Sequence, residues 1–223
     1  MLASAVFKEE SPLDYIFTNS KIVVSRNDLI ACLPDALVIW GGEDISPTIY
    51  NQRPAPQTDA AFNLSLRDQT EMELAQAAID KNIPIIGICR GAQLMCALSG
   101  GTVIQHVNRH AGPNHSIQTK DGQVLVTNSV HHQMMHPGTV DHELLGWVPS
   151  KLSNVYIGDN GEHITELETN DNFAEPEIVW FPKTKALCIQ GHPEFSSAQA
   201  PFIRHCLKLV RRYILNQTET DED

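Results

Sequence analysis

A chain of 223 residues with 42% apolar content is long enough for a substantial core and too apolar to be wholly disordered. Sixteen Lys and Arg against 27 Asp and Glu give a net charge of −11, which argues against wrapping nucleic acid or lying on an anionic membrane. No apolar run reaches the ~18 residues that cross a bilayer, residues 1–10 lack the basic start of a signal peptide, and five scattered cysteines fit reduced thiols in a cytoplasmic protein.

Short strands alternate with helices, which predicts an α/β fold. Residues 1–216 read as one domain and 217–223 as an acidic tail with Glu219, Asp221, Glu222 and Asp223. Residues 36–40, Ala-Leu-Val-Ile-Trp, read as a buried strand stopped by Gly41-Gly42. Residues 46–65 are rich in Pro, Asn and Gln and read as a long loop of the kind that carries function. Helical spacing over 67–81 puts Met72, Ala75, Ala78 and Ile79 on one side. Asp68, Glu71 and Glu73 lie near its start, where the helix dipole favours acids.

Residues 83–88 form an apolar run suited to a central parallel strand, followed by a helix over 90–99 that stops at Gly100-Gly101. Asp121-Gly122 marks a hairpin between strands near 117–118 and 124–126. Residues 150–175 are polar and carry no clear period. Two strands, 177–181 and 185–190, join through Pro182. A last helix over 198–216 presents Phe202, Ile203, Cys206, Leu207, Val210 and Ile214 as its apolar face.

The strongest chemical signal is Gly87-Ile88-Cys89-Arg90-Gly91, where a buried strand turns into a helix. This is the spacing of a nucleophile elbow, with Cys in place of Ser. The helix N-terminus favours a thiolate at Cys89. The plainer reading is a buried cysteine between apolar segments. Cys96, Cys188 and Cys206 read as core. Gln190-Gly191-His192-Pro193-Glu194 follows the last apolar strand, at the sheet edge where α/β sites assemble. Glu194 is placed to orient His192 and stabilise its charged form, although alone the pair reads as an ordinary loop His and Glu. Backbone N–H groups near Gly42 and at Arg90 are candidates for an oxyanion hole. His106 and His110 are four apart, as are His132 and His136, but no His-Glu-x-x-His occurs and the segments suit strands. No metal and no cofactor are expected.

Gly-Ile-Cys-Arg-Gly-Ala-Gln at 87–93, with Gln-Gly-His-Pro-Glu at 190–194, resembles the class I glutamine amidotransferase superfamily. Residues 41–50, Arg67-Asp68 with Glu71, Ile83-Pro84-Ile85-Ile86 and Asn128-Ser129-Val130-His131-His132-Gln133 narrow the resemblance to the γ-glutamyl hydrolases of peptidase family C26. Those cleaving γ-glutamyl amines such as γ-glutamyl-GABA are the most similar. The resemblance implies a flavodoxin-like three-layer α/β sandwich with a mainly parallel sheet, and Cys89, His192 and Glu194 as a catalytic triad. It implies that Gln93, His131 and His132 bind substrate. Arg90 and the histidines near 131 are then the candidates to meet the substrate's carboxylate.

The expected reaction is cleavage of glutamine or a γ-glutamyl amine through a γ-glutamyl thioester. The alternatives are a glutaminase chain passing ammonia to a separate synthetase, and a non-catalytic binding module; a homodimer is a further partner expectation. Three departures from the family stand out. A first strand and helix are hard to find before Ala36, so the sheet edge is expected to be reduced. Gly191 replaces a bulky aromatic, which is expected to widen the site. Residues 150–175 match poorly.

Overall fold

The computed structural model describes residues 1–112, 114–197 and 199–217. The predicted acidic tail from 218 onward, and Ala198 at the predicted helix start, lie outside the described residues.

Nine strands form the central sheet: β1 (Leu2–Ala5), β2 (Ser20–Val23), β3 (Ala36–Ile39), β4 (Ile85–Ile88), β5 (His115–Thr119), β6 (Val124–Thr127), β7 (Glu143–Trp147), β8 (Pro176–Phe181) and β9 (Ala186–Ile189). The order across the sheet is β2-β1-β3-β4-β9-β8-β7-β5-β6. Pairing is parallel from β2 to β9 and antiparallel from β9 to β6. Two strands, β1 and β2, and a helix, α1 (Arg26–Cys32), therefore do precede β3, with only a 3-10 turn at Pro12–Tyr15 between the two strands.

Alternation along the central strands explains the three layers. Leu37, Ile39, Ile85 and Cys188 face a core shared with α2 (Leu66–Asp80) and α3 (Arg90–Leu98). Val38, Trp40, Ile86 and Leu187 face the opposite core, covered by α4 (Pro201–Leu209) and the turn at Pro12–Tyr15. Successive residues of a strand point to opposite faces, so a strand covered on both sides must be apolar throughout. The final helix passes into a π-helical turn at Val210–Ile214. The polar stretch 150–175 holds only a two-residue strand, a single 3-10 turn and a five-residue helix at Thr165–Thr169. All five cysteines are free, and among the described residues no helix is long and apolar enough to cross a membrane.

Candidate active site

β4 ends at Ile88 and α3 begins at Arg90, so Cys89 alone makes the turn. Its backbone sits at φ 49°, ψ −106°, a conformation a side-chain-bearing residue adopts at a cost of roughly 1–3 kcal/mol. The flanking glycines permit this. A Cβ on Gly91 would collide with the carbonyl oxygen of Ile39, and one on Gly87 would stand 2.6 Å from that of Gly91. The elbow predicted from sequence is present, and its strain is concentrated on the one thiol it displays.

β9 lies beside β4 in parallel register, with Ile189 opposite Ile88. The segment after β9 therefore emerges next to the elbow. His192 is fixed there by Asn128, whose Oδ1 accepts from His192 N at 2.7 Å and whose Nδ2 donates to His192 O at 2.7 Å. His192 Nδ1 lies 2.7 Å from Glu194 Oε1, and the Phe195 ring stacks flat on the imidazole with centroids 4.6 Å apart. Burial works against a charge on His192, but contact with the Cys89 thiol and with Glu194 outweighs it and raises the imidazole to about 10. Cys89, His192 and Glu194 are thus brought together. Asn128 lies in the Asn-Ser-Val-His-His-Gln motif, but its clamp has no signature in spacing, because it joins residues 64 apart.

The turn at Gly41-Gly42 and the elbow are tied by one hydrogen-bond network, half-buried at Arg67 and buried at Glu71 and Arg90. Arg67 Nη2 donates to the carbonyls of Trp40 (3.0 Å) and Gly41 (2.9 Å), and its Nε donates to Glu71 at 2.8 Å. Glu71 also accepts from Arg90 Nη1, while Arg90 Nη2 reaches Asp68 at 2.5 Å. Asp68 closes a capping box with Ser65 at the start of α2. Asp68 thus sits at the helix start, as the sequence predicts, and both Asp68 and Glu71 are in addition buried partners of Arg90. The Arg90 guanidinium is 2% exposed and fully engaged, so it does not meet a substrate carboxylate. Its backbone N–H remains beside Cys89.

A cleft of about 300 Å³ opens at the elbow, lined by Glu9, Trp40, Gly41, Gly42, Cys89, Val130, His192, Glu194 and Phe195. The three residues expected to bind substrate are not among these. Gln93 is buried and donates to Gln133 O at 3.3 Å. His131 is buried with Nδ1 2.8 Å from Gln133 O. His132 Nε2 lies 3.2 Å from Asp44, whose hydrogen bond raises the imidazole above its usual value. Val130 faces the cleft, so its neighbour His131 turns inward. Gly191 does not widen the site either: a Cβ there would collide with Thr127 Oγ1 and lie 3.1 Å from Phe202. Packing from β6 and α4 fills that space.

A half-parallel sheet with helices on both faces and a cysteine elbow facing a His-Glu pair defines a class I glutamine amidotransferase-like protein. Known proteins agree. The peptidase C26 family model matches residues 24–194, and the chain belongs to that family. A Mycobacterium tuberculosis protein, named as a candidate glutamine amidotransferase, is 41% identical over 199 residues, covering 86% of this chain and 62% of its own. The carbamoyl phosphate synthase small chain of Vibrio cholerae serotype O1 is 25% identical over 193 residues, covering 85% of this chain and 41% of its own. The chain therefore spans less than two thirds of either relative. A crystal structure from Thermoplasma acidophilum, described as that of a candidate GMP synthase component, superposes with a TM-score of 0.60 at 14% identity over 97% of this chain and 94% of that one. That likeness is one of fold.

Proposed function

We propose that this amidotransferase-type protein cleaves a γ-glutamyl amide bond by thiol catalysis, with Cys89, His192 and Glu194 as its catalytic residues. The carrying observation is the strained Cys89 at a helix N-terminus, in contact with an imidazole whose pKa that thiol and Glu194 together raise. The Cys89 thiolate attacks the side-chain carbonyl carbon. The N–H groups of Gly42 and Arg90 donate to the developing oxyanion, one from each end of the Arg67–Glu71–Arg90 network. The His192 imidazolium gives its proton to the departing ammonia or amine, leaving a γ-glutamyl thioester. Water, deprotonated by His192, then attacks the thioester and releases glutamate. Glu194 stabilises the imidazolium in both halves.

Among the described residues the cleft's lining includes no Lys or Arg, so backbone donors carry the glutamyl recognition in this reading. The test is glutamate release by the purified chain from glutamine, γ-glutamyl-GABA, γ-glutamyl-putrescine and poly-γ-glutamate. Robust turnover of one amine conjugate is the expected result; no turnover of any contradicts the proposal. A second reading, ammonia delivery to a separate synthetase, is favoured by the likeness to a carbamoyl phosphate synthase small chain. It requires weak glutaminase activity that rises sharply on mixing with a synthetase.

A further inference from the structure

Behind the cleft wall lies a second group of ionisable side chains that the chemistry above does not use. His110, His115, His131 and Glu177 are each at least nine-tenths buried, as is Glu175. Glu177 lies at the start of β8, His115 opens β5, and the two other histidines come from the segments flanking β5 and β6. Glu177 Oε1 stands 3.5 Å from His110 Nδ1, 3.5 Å from His131 Nε2 and 3.0 Å from His115 Nε2. The donor atoms of His110, His131 and Glu177 all lie within 4.8 Å of one another. A tetrahedral ion with bonds of ~2.1 Å holds its donor atoms ~3.4 Å apart, which the two 3.5 Å distances from Glu177 to His110 and His131 already match.

Two features say that a cation belongs between them. The first is the fixed orientation of His131. Its Nδ1 faces the carbonyl of Gln133 at 2.8 Å, and a carbonyl only accepts, so Nδ1 carries the proton. The other nitrogen, Nε2, then faces the Glu177 carboxylate at 3.5 Å and has no hydrogen-bond partner. The second is unmet polarity. Both nitrogens of His110 and Oε2 of Glu177 are also buried without a well-directed hydrogen bond.

We propose that this cluster is a structural zinc site. His110 Nδ1, His131 Nε2 and Glu177 are the ligands, the free Oε2 of Glu177 closing the coordination. Its outer groups are the kind that orient metal ligands. Glu175 Oε2 lies 3.2 Å from His110 Nε2, the Gln133 carbonyl fixes His131, and His115 Nε2 donates to Glu177. Glu175 itself is anchored by Leu152 N, Ser153 N and the Tyr156 hydroxyl. The ion would tie the loop that supplies Asn128 and Val130 to the strand whose Glu177 carbonyl accepts from Gln190 N. The absence of a metal expected from sequence rested on pairs four apart. These ligands are 21 and 46 residues apart and meet only in the folded sheet.

The test is elemental analysis of the untagged full chain expressed with zinc in the medium, beside cobalt titration of chelator-stripped protein. The expected result is about one zinc per chain and the visible absorption of a tetrahedral N/O cobalt centre. Cys89→Ala keeps the metal, which excludes the thiolate as its ligand. Glu177→Gln loses it, and Glu175→Gln weakens zinc affinity ~10–100-fold. Should a ligand variant fail to fold, the cobalt spectrum of the wild-type chain decides alone. Zinc retained by a folded Glu177→Gln variant, or a wild-type chain that takes up neither metal, overturns the proposal and leaves a proton as the shared cation.

Discussion

Two histidine–glutamate assemblies lie on either side of the β8–β9 hairpin. At one, a single imidazole meets a single carboxylate: His192 and Glu194 are 2.7 Å apart, beside a thiol and open to a cleft. At the other, three imidazoles crowd one carboxylate, Glu177, and all four side chains are at least nine-tenths buried. The residue types are the same. What differs is the neighbour and the route to solvent. A one-to-one pair next to a nucleophile can move a proton to and from a substrate. A buried cluster of imidazoles around Glu177, with Glu175 against His110, is suited to holding something in place.

That contrast breaks most directly at the nucleophile. Cys89→Ala should lower kcat by about 10⁴–10⁶-fold while leaving the circular dichroism spectrum unchanged. Activity that survives would move the chemistry away from Cys89. Glu194→Gln should cost about 10²–10⁴-fold in kcat.

The pH profile of that variant sharpens the point. His192 titrates at about 10 when folded and 6.5 in its reference state. The raised value means its stabilising contribution is whole below pH 6.5 and is lost as pH climbs through about 10. Activity that needs the imidazolium falls over the same alkaline limb. Without the Glu194 carboxylate that limb should move to lower pH, read as kcat/KM against pH. An unmoved limb would mean that Glu194 does not hold the charge.

Glu71→Ala leaves buried Arg90 and Arg67 short of a partner and should destabilise the chain by about 3–5 kcal/mol in urea unfolding. Gly191→Ala forces a methyl against Thr127 Oγ1 and should cost about 1–3 kcal/mol, without the gain in substrate range that a roomy site would give. His132→Ala removes a partly exposed pair with Asp44 and should cost under about 1 kcal/mol. A large rise in KM for that variant would return His132 to the substrate.

The elbow and the His-Pro-Glu segment are legible in the sequence because their chemistry is local. A glycine two residues either side of Cys89, and a carboxylate two residues after His192, need no knowledge of the rest of the chain. The central strands are legible because burial on both faces leaves an unbroken apolar run. The first strand and helix are not. β1 is Leu-Ala-Ser-Ala, poor in β-branched residues, and α1 buries only Leu29 of its seven residues. Neither writes a period into the sequence.

Arg90 misleads for a different reason. A lone arginine next to a nucleophile reads as a substrate cation until its two acids, one turn apart on α2, are seen to enclose it. His131 misleads in the same way. Its inward direction is set by Val130 taking the cleft position, and its partner Glu177 is 46 residues away on a strand.

The most direct test of the central claim is an acid quench of the chain in steady-state turnover of a γ-glutamyl amine, followed by intact and peptide mass analysis. The expected result is a gain of one γ-glutamyl group on the peptide that holds Cys89, labile to hydroxylamine and absent from Cys89→Ala. An adduct on another residue, or turnover undiminished in Cys89→Ala, would contradict it.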